Sequence, residues 1–140
     1  TNPPHQFAGV WYALEDSTLY NGALEYYEGS HLVPVMTGRE FIGHNGFLSR
    51  DEVPVVLALY EEYLSQTYEN AGCKKTVMLA EAGDIIIWHP LLAHGGSKIL
   101  DKSKTRKSCV FHWKSRDSSI GNAMHHFNDT LPPPLNLAIN

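Results

Sequence analysis

Short stretches of strand-forming residues, each cut off by glycine, asparagine or proline, recur along this chain, and one longer stretch has a helical period. This alternation constrains the fold most, because a period of two buries one face of a strand and a period of 3.6 buries one stripe of a helix. Residues 10–14, with Trp11 and Tyr12, read as a strand that stops at the polar Glu15-Asp16-Ser17. Asn21-Gly22 suits a tight turn, and residues 24–27 read as a second strand, so the pair is expected to form a hairpin. Residues 32–36 read as an edge strand, since Pro34 cannot donate to a ladder, and residues 37–50 read as a loop. Pro54 stands where a helix would begin, Leu57, Tyr60, Leu64 and Tyr68 fall on one stripe, and Gly72 ends it. The spacing therefore predicts one helix over residues 54–70. Residues 76–80, 84–88 and 106–113 read as further strands, and no period survives beyond Ser115. Many short strands around one helix predict a mainly β sandwich or jelly roll, with six strands against the roughly eight of a complete one.

The chain has 140 residues, enough for one domain with a real core, and 43% hydrophobic with 19% charged residues is a globular composition. No apolar run approaches the roughly 20 residues of a membrane-spanning helix. The net charge is −4 and the basic residues gather between Lys98 and Lys107, so neither nucleic acid nor membrane is an expected partner. Cys73 and Cys109 read as buried free thiols, and with no secretory signature the expected location is cytoplasmic or another intracellular compartment. Thr1-Asn2-Pro3-Pro4 reads as the middle of a loop, which predicts that this chain is a piece of a longer protein.

Eight histidines require weighing one by one. His44, between glycines, and His125-His126, in the aperiodic tail, read as solvated. His31 follows Gly29-Ser30 and reads as structural, its ring pinning the turn by hydrogen bonds. His5-Gln6-Phe7 cannot be an H-x-D metal motif, because Phe7 has no ligand atom. His94 differs. It follows the apolar run Ile85-Ile86-Ile87-Trp88, expected to cross the interior, and stands beside Gly95-Gly96, which would leave room for a ligand. A single histidine is nonetheless more often a hydrogen-bonded core residue than a metal ligand. Downstream, period two puts Arg106 and Ser108 on one face, a guanidinium fork backed by a hydroxyl and shaped for a carboxylate. The competing reading is a surface arginine within the basic stretch.

Trp11-Tyr12-Ala13-Leu14-Glu15-Asp16, then Asn21-Gly22-Ala23-Leu24, then Gly29-Ser30-His31 resembles the middle of phytanoyl-CoA dioxygenase family proteins. Gly83-Asp84-Ile85-Ile86-Ile87-Trp88-His89-Pro90, His94-Gly95-Gly96-Ser97 and Thr105-Arg106-Lys107-Ser108 continue the match in the same order. The resemblance implies a double-stranded β-helix (jelly roll, cupin-like) with one inserted helix, its core over about residues 9–114 and an irregular tail over residues 115–140. It further implies Fe(II) on a 2-His-1-carboxylate triad, 2-oxoglutarate as cosubstrate, ascorbate as an accessory, and hydroxylation of a small organic or acyl-type substrate. Carried over position by position, His94 matches an iron ligand, and Arg106 matches the arginine that pairs with the far carboxylate of 2-oxoglutarate. Ser108 and Ser97 would assist Arg106, and Trp11 would flank the cosubstrate. The chain contains no H-x-D, so it lacks that half of the iron site, is incomplete at its N-terminal side and is expected to be inactive as it stands. The alternative is a non-catalytic β-helix module that binds 2-oxoglutarate or a partner. The sequence carries no signature of an oligomeric state.

Overall fold

A computed structural model describes residues 6–43 and 51–116. Six strands form two three-stranded antiparallel sheets. The first has the order β4-β1-β6, from β1 (Phe7–Ala13), β4 (Ile85–Trp88) and β6 (Ser108–Lys114). The second has the order β3-β2-β5, from β2 (Leu24–Tyr27), β3 (Lys75–Met78) and β5 (His94–Gly96). The architecture is mainly β, as the sequence predicts, but the six strands do not by themselves draw a jelly roll.

The expected hairpin of residues 10–14 and 24–27 does not form. These two strands lie in different sheets, β1 between β4 and β6, and β2 between β3 and β5. The reason lies in Asn21, which is almost fully buried and turns the chain from one sheet to the other. Its amide donates to the carbonyls of Asp16 (2.8 Å) and Thr105 (2.9 Å), and its oxygen accepts from the Thr18 backbone N–H (2.7 Å). With its side chain satisfied this way, Asn21 anchors a crossover rather than a two-residue hairpin turn.

Residues 32–36 form no strand either. Ser30–Leu32 is a 3-10 turn, and Leu32 is 78% exposed, so the segment has no apolar face to bury. The loop expected over residues 37–50 contains a one-turn helix, α1 (Gly38–Ile42). Thr37 and Glu40 close it with a capping box, each side chain bonding the other's backbone N–H. The expected helix is α2 (Val53–Asn70), with Pro54 in its first turn. Gly72, at φ +79°, ends it: its N–H donates to Glu69 O and that of Cys73 to Tyr68 O, both at 2.9 Å. Within the stripe Tyr68 is buried, Tyr60 and Leu64 are half-buried and Leu57 is exposed. α2 lies against the outer side of the second sheet, where Tyr68 meets the Tyr27 ring at 5.4 Å.

The sheets pack face to face over a small core of Trp11, Ala13, Trp88 and Leu24, joined by Met78, Ala80, Ile86 and Leu92. The register determines which residues enter it. Trp88 stands opposite Gly9 and Ile86 opposite Trp11, so these face inward, while Ile85 and Ile87 face outward and are 61% and 69% exposed. The apolar run thus does not cross the interior whole. Of its four residues two are core, because strand side chains alternate. Leu91, too, is exposed. Cys73 and Cys109 are free thiols, half-buried rather than buried. Among the described residues no helix is long and apolar enough to cross a membrane.

Gly9 is obligatory for this packing. A Cβ built there would lie 2.4–2.8 Å from three atoms of the Trp88 indole, inside any real contact distance. Gly9→Ala is therefore expected to cost about 1–3 kcal/mol through overpacking, read as a lower midpoint in denaturant unfolding at unchanged slope.

Candidate functional site

The inner faces of the two sheets bring the separate candidate segments of the sequence together. His94, on β5, is paired in register with Tyr26. Its ring reaches the Trp88 indole of the opposite sheet, 4.9 Å between centroids. Trp88 covers Gly9, and two residues further along the same face of β1 stands Trp11, which is 2% exposed. The Arg106 guanidinium lies over the Trp11 ring, with Cζ 5.8 Å from the centroid, within cation–π range. A continuous path of side chains thus leads from His94 through Trp88 and Trp11 to Arg106.

At one end of this path, His94 Nδ1 is 2.7 Å from the Leu92 carbonyl. A carbonyl only accepts, so Nδ1 is the donor, and in the neutral ring Nε2 keeps its lone pair. This backbone bond also orients the ring, as it does for histidines that hold metals. Nothing lies within 4 Å of where a Cβ would stand at Gly95 or Gly96, so space is open beside the imidazole. Among the described residues no three His, Cys, Asp or Glu side chains are grouped to hold a metal ion. His94 therefore does not make a metal site from the described residues.

The other end of the path is cationic. Arg106 is half-buried and has no acidic partner among the described residues. Ser108 opens β6 opposite Ala13, on the inward face, whereas Arg106 precedes the strand, so the period of a strand does not reach it. Ser97 follows β5, its N–H donating to Ala23 O at 2.8 Å, while its Oγ is buried with no hydrogen-bond partner. An unpaired guanidinium and an orphaned hydroxyl are groups that a carboxylate ligand would satisfy.

The segment carrying Arg106 is fastened to the loop after β1. Glu15 Oε2 accepts from Thr105 Oγ1 (2.7 Å) and from the Lys107 N–H (3.1 Å), and its Oε1 meets Lys107 Nζ at 2.5 Å. Asn21 holds the Thr105 carbonyl. The hydrogen bonds from Lys107 and Thr105 pull the Glu15 carboxyl down from 4.5 to about 2.

The family model for phytanoyl-CoA dioxygenase (PhyH) matches residues 1–108. The chain belongs to this family. Among solved structures, it resembles EvdMO1 with a TM-score of 0.51 at 20% identity, over 81% of this chain and 20% of that one. It is also similar to SnoK, a non-heme alpha ketoglutarate dependent carbocyclase from nogalamycin biosynthesis (TM-score 0.43, 19% identity, 76% of this chain and 34% of that one). A third likeness is to SnoN, a non-heme alpha ketoglutarate dependent epimerase from the same biosynthesis (TM-score 0.47, 18% identity, 79% and 35%). The chain spans between 20% and 35% of the length of these structures. No curated protein sequence matches it.

Of the residues matched to the phytanoyl-CoA dioxygenase family, Trp11 and Arg106 touch, and His94 joins them through Trp88. Trp88 was not singled out in the sequence, although its period-two relation to Ile86 marks it as inward-facing. Glu15 and Asn21 were missed as well, since nothing local ties them to residues more than eighty positions away. The His31 ring does not pin the turn through Nδ1 as expected. Its neighbour Ser30 pins the turn by accepting from the Ala93 N–H (2.9 Å), while His31 Nδ1 is buried unpartnered and the ring lies tilted against His89, 5.1 Å between centroids. His5, His44 and His125-His126 lie outside the described residues.

Because the Glu15 pKa is lowered on folding, its contribution to stability is full above about 4.5 and is lost as pH falls toward 2. The stability gap between the natural protein and Glu15→Gln should be open above pH 4.5 and close on acidification, as followed by denaturant midpoints across that range.

Proposed function

We propose that the protein is an Fe(II)/2-oxoglutarate-dependent dioxygenase acting on a small organic or acyl-type substrate, and that this chain supplies the cosubstrate-binding half of a double-stranded β-helix. Membership of the phytanoyl-CoA dioxygenase family supports the reaction class. The observation that carries the assignment is Arg106, half-buried over Trp11 and without an acidic partner among the described residues. Its fork would take the far carboxylate of 2-oxoglutarate in two parallel N–H···O bonds. Ser108, facing inward opposite Ala13, adds a hydroxyl two residues on and Ser97 an orphaned one, while buried Trp11 keeps water from one side of the guanidinium. In a site shielded this way the charge pairing is worth more than in open water.

The metal fits less completely. His94, with Nε2 free, is the residue this chain would offer, but a facial triad needs two further ligands, and the described residues bring none to it. The reading of the same site as a non-catalytic module shares the carboxylate-binding part. Fe(II)-dependent consumption of 2-oxoglutarate by the protein as isolated from its native source separates the two, and an intact mass above 15.7 kDa would identify a longer form.

Arg106→Ala is expected to weaken 2-oxoglutarate binding about 10- to 100-fold by calorimetric titration, the loss of a bidentate charged contact. Arg106→Lys should recover only part of this, because an ammonium cannot make the paired bonds. Unchanged affinity in Arg106→Ala would overturn the assignment.

A further inference from the structure

We infer that Glu15, together with Asn21, is a positioning clamp that fixes the direction in which Arg106 presents its guanidinium. The inference rests on the reading of Arg106 as the carboxylate-binding residue and adds to it the group that aims it.

Arg106 lies outside the strand it precedes. β6 starts at Ser108, and the backbone bond nearest to Arg106 runs from Leu14 N–H to Lys107 O at 3.0 Å. No ladder bond therefore fixes the backbone at Arg106 itself. The two peptide planes that meet at its Cα set where an arginine's Cα–Cβ bond points and which side-chain rotamers it can take. Each plane is held by one hydrogen bond to the loop after β1. In the plane before Arg106, the Thr105 carbonyl accepts from Asn21 Nδ2 at 2.9 Å. In the plane after it, the Lys107 N–H donates to Glu15 Oε2 at 3.1 Å. The Thr105 hydroxyl adds a third tie to the same Glu15 oxygen at 2.7 Å.

Two further features suit the clamp to its task. Glu15 and Asn21 lie in the segment between β1 and β2, and β1 carries Trp11, so one stretch of chain sets both the platform and the direction of the arginine above it. The charge of Glu15 is also accounted for. Lys107 Nζ pairs with its Oε1 at 2.5 Å, so the carboxylate is occupied by Lys107 and does not compete with a ligand for Arg106.

A merely structural Glu15 and a positioning Glu15 differ in one readout, the discrimination between 2-oxo acids with and without a far carboxylate. Affinities for 2-oxoglutarate and for pyruvate would be measured on the natural protein, Glu15→Ala, Glu15→Gln and Arg106→Ala, with thermal melts alongside. In Glu15→Ala we expect 2-oxoglutarate to weaken about tenfold and pyruvate by less than about twofold. Glu15→Gln keeps an acceptor oxygen for the Thr105 hydroxyl and the Lys107 N–H and should recover most of the ratio. A ratio unchanged in Glu15→Ala, or both acids weakened together, would overturn the clamp while leaving Arg106 as the binding residue. A ratio unchanged in Arg106→Ala would overturn the carboxylate reading and the clamp with it. If Glu15→Ala does not fold, Thr105→Val removes one tie to the same oxygen and must shift the ratio in the same direction; no shift counts against the clamp.

Discussion

The seating of the Trp88 indole on the bare backbone of Gly9 is the contact on which the rest of this structure depends. It lets β4 bring a large ring into the space between the sheets without forcing them apart. Around it the core is small: Trp11 and Ala13 from one sheet, Leu24 from the other, and a few half-buried neighbours. Large aromatic groups carry much of the burial in so thin a core, and close packing makes each contact sensitive to a single added methyl. The same indole also faces His94 across the gap, so the packing that joins the sheets sets the place of the histidine as well.

From this contact the candidate site follows in two directions. Toward β5 it fixes the imidazole, whose Nδ1 is committed to the Leu92 carbonyl and whose other nitrogen is left available. Toward β6 it leads through Trp11 to Arg106, held by polar groups of the loop after β1. This chain thus furnishes more of the proposed carboxylate site than of a metal site. Arg106 and Ser108 stand at the start of the strand paired with β1 and Ser97 just after the strand paired with β2, whereas a metal needs several ligands converging on one point.

The outer face of the first sheet is unusual in the opposite respect. Ile85 and Ile87 on β4, Val10 on β1 and Phe111 on β6 fall in neighbouring register there, and three of these four are more than half exposed. The second sheet has its corresponding face covered by α2 through Tyr27 and Tyr68. The asymmetry explains why an all-apolar run misled the reading of burial: its residues divide between a packed face and an uncovered one.

The sequence by itself determined the pieces that local physics controls. The long helix is set by its apolar stripe and its Pro54 and Gly72 ends, and the strand at residues 24–27 by its residue types. The inward place of Trp11 follows from the period of a strand, and the ordered motifs of the family from their succession. Tertiary structure decided what depends on partners far along the chain. Asn21-Gly22 has the composition of a hairpin turn, yet its amide bonds to Thr105 and makes it a crossover between sheets. Residues 94–96 have little strand propensity, and β5 exists because β2 offers an edge to pair with. Glu15 reads as an ordinary polar residue ending a strand until folding brings it to Thr105 and Lys107. A hydrogen bond is a local interaction in space with no local trace in sequence, and for that reason the residues that aim the arginine were legible only once the sheets had formed.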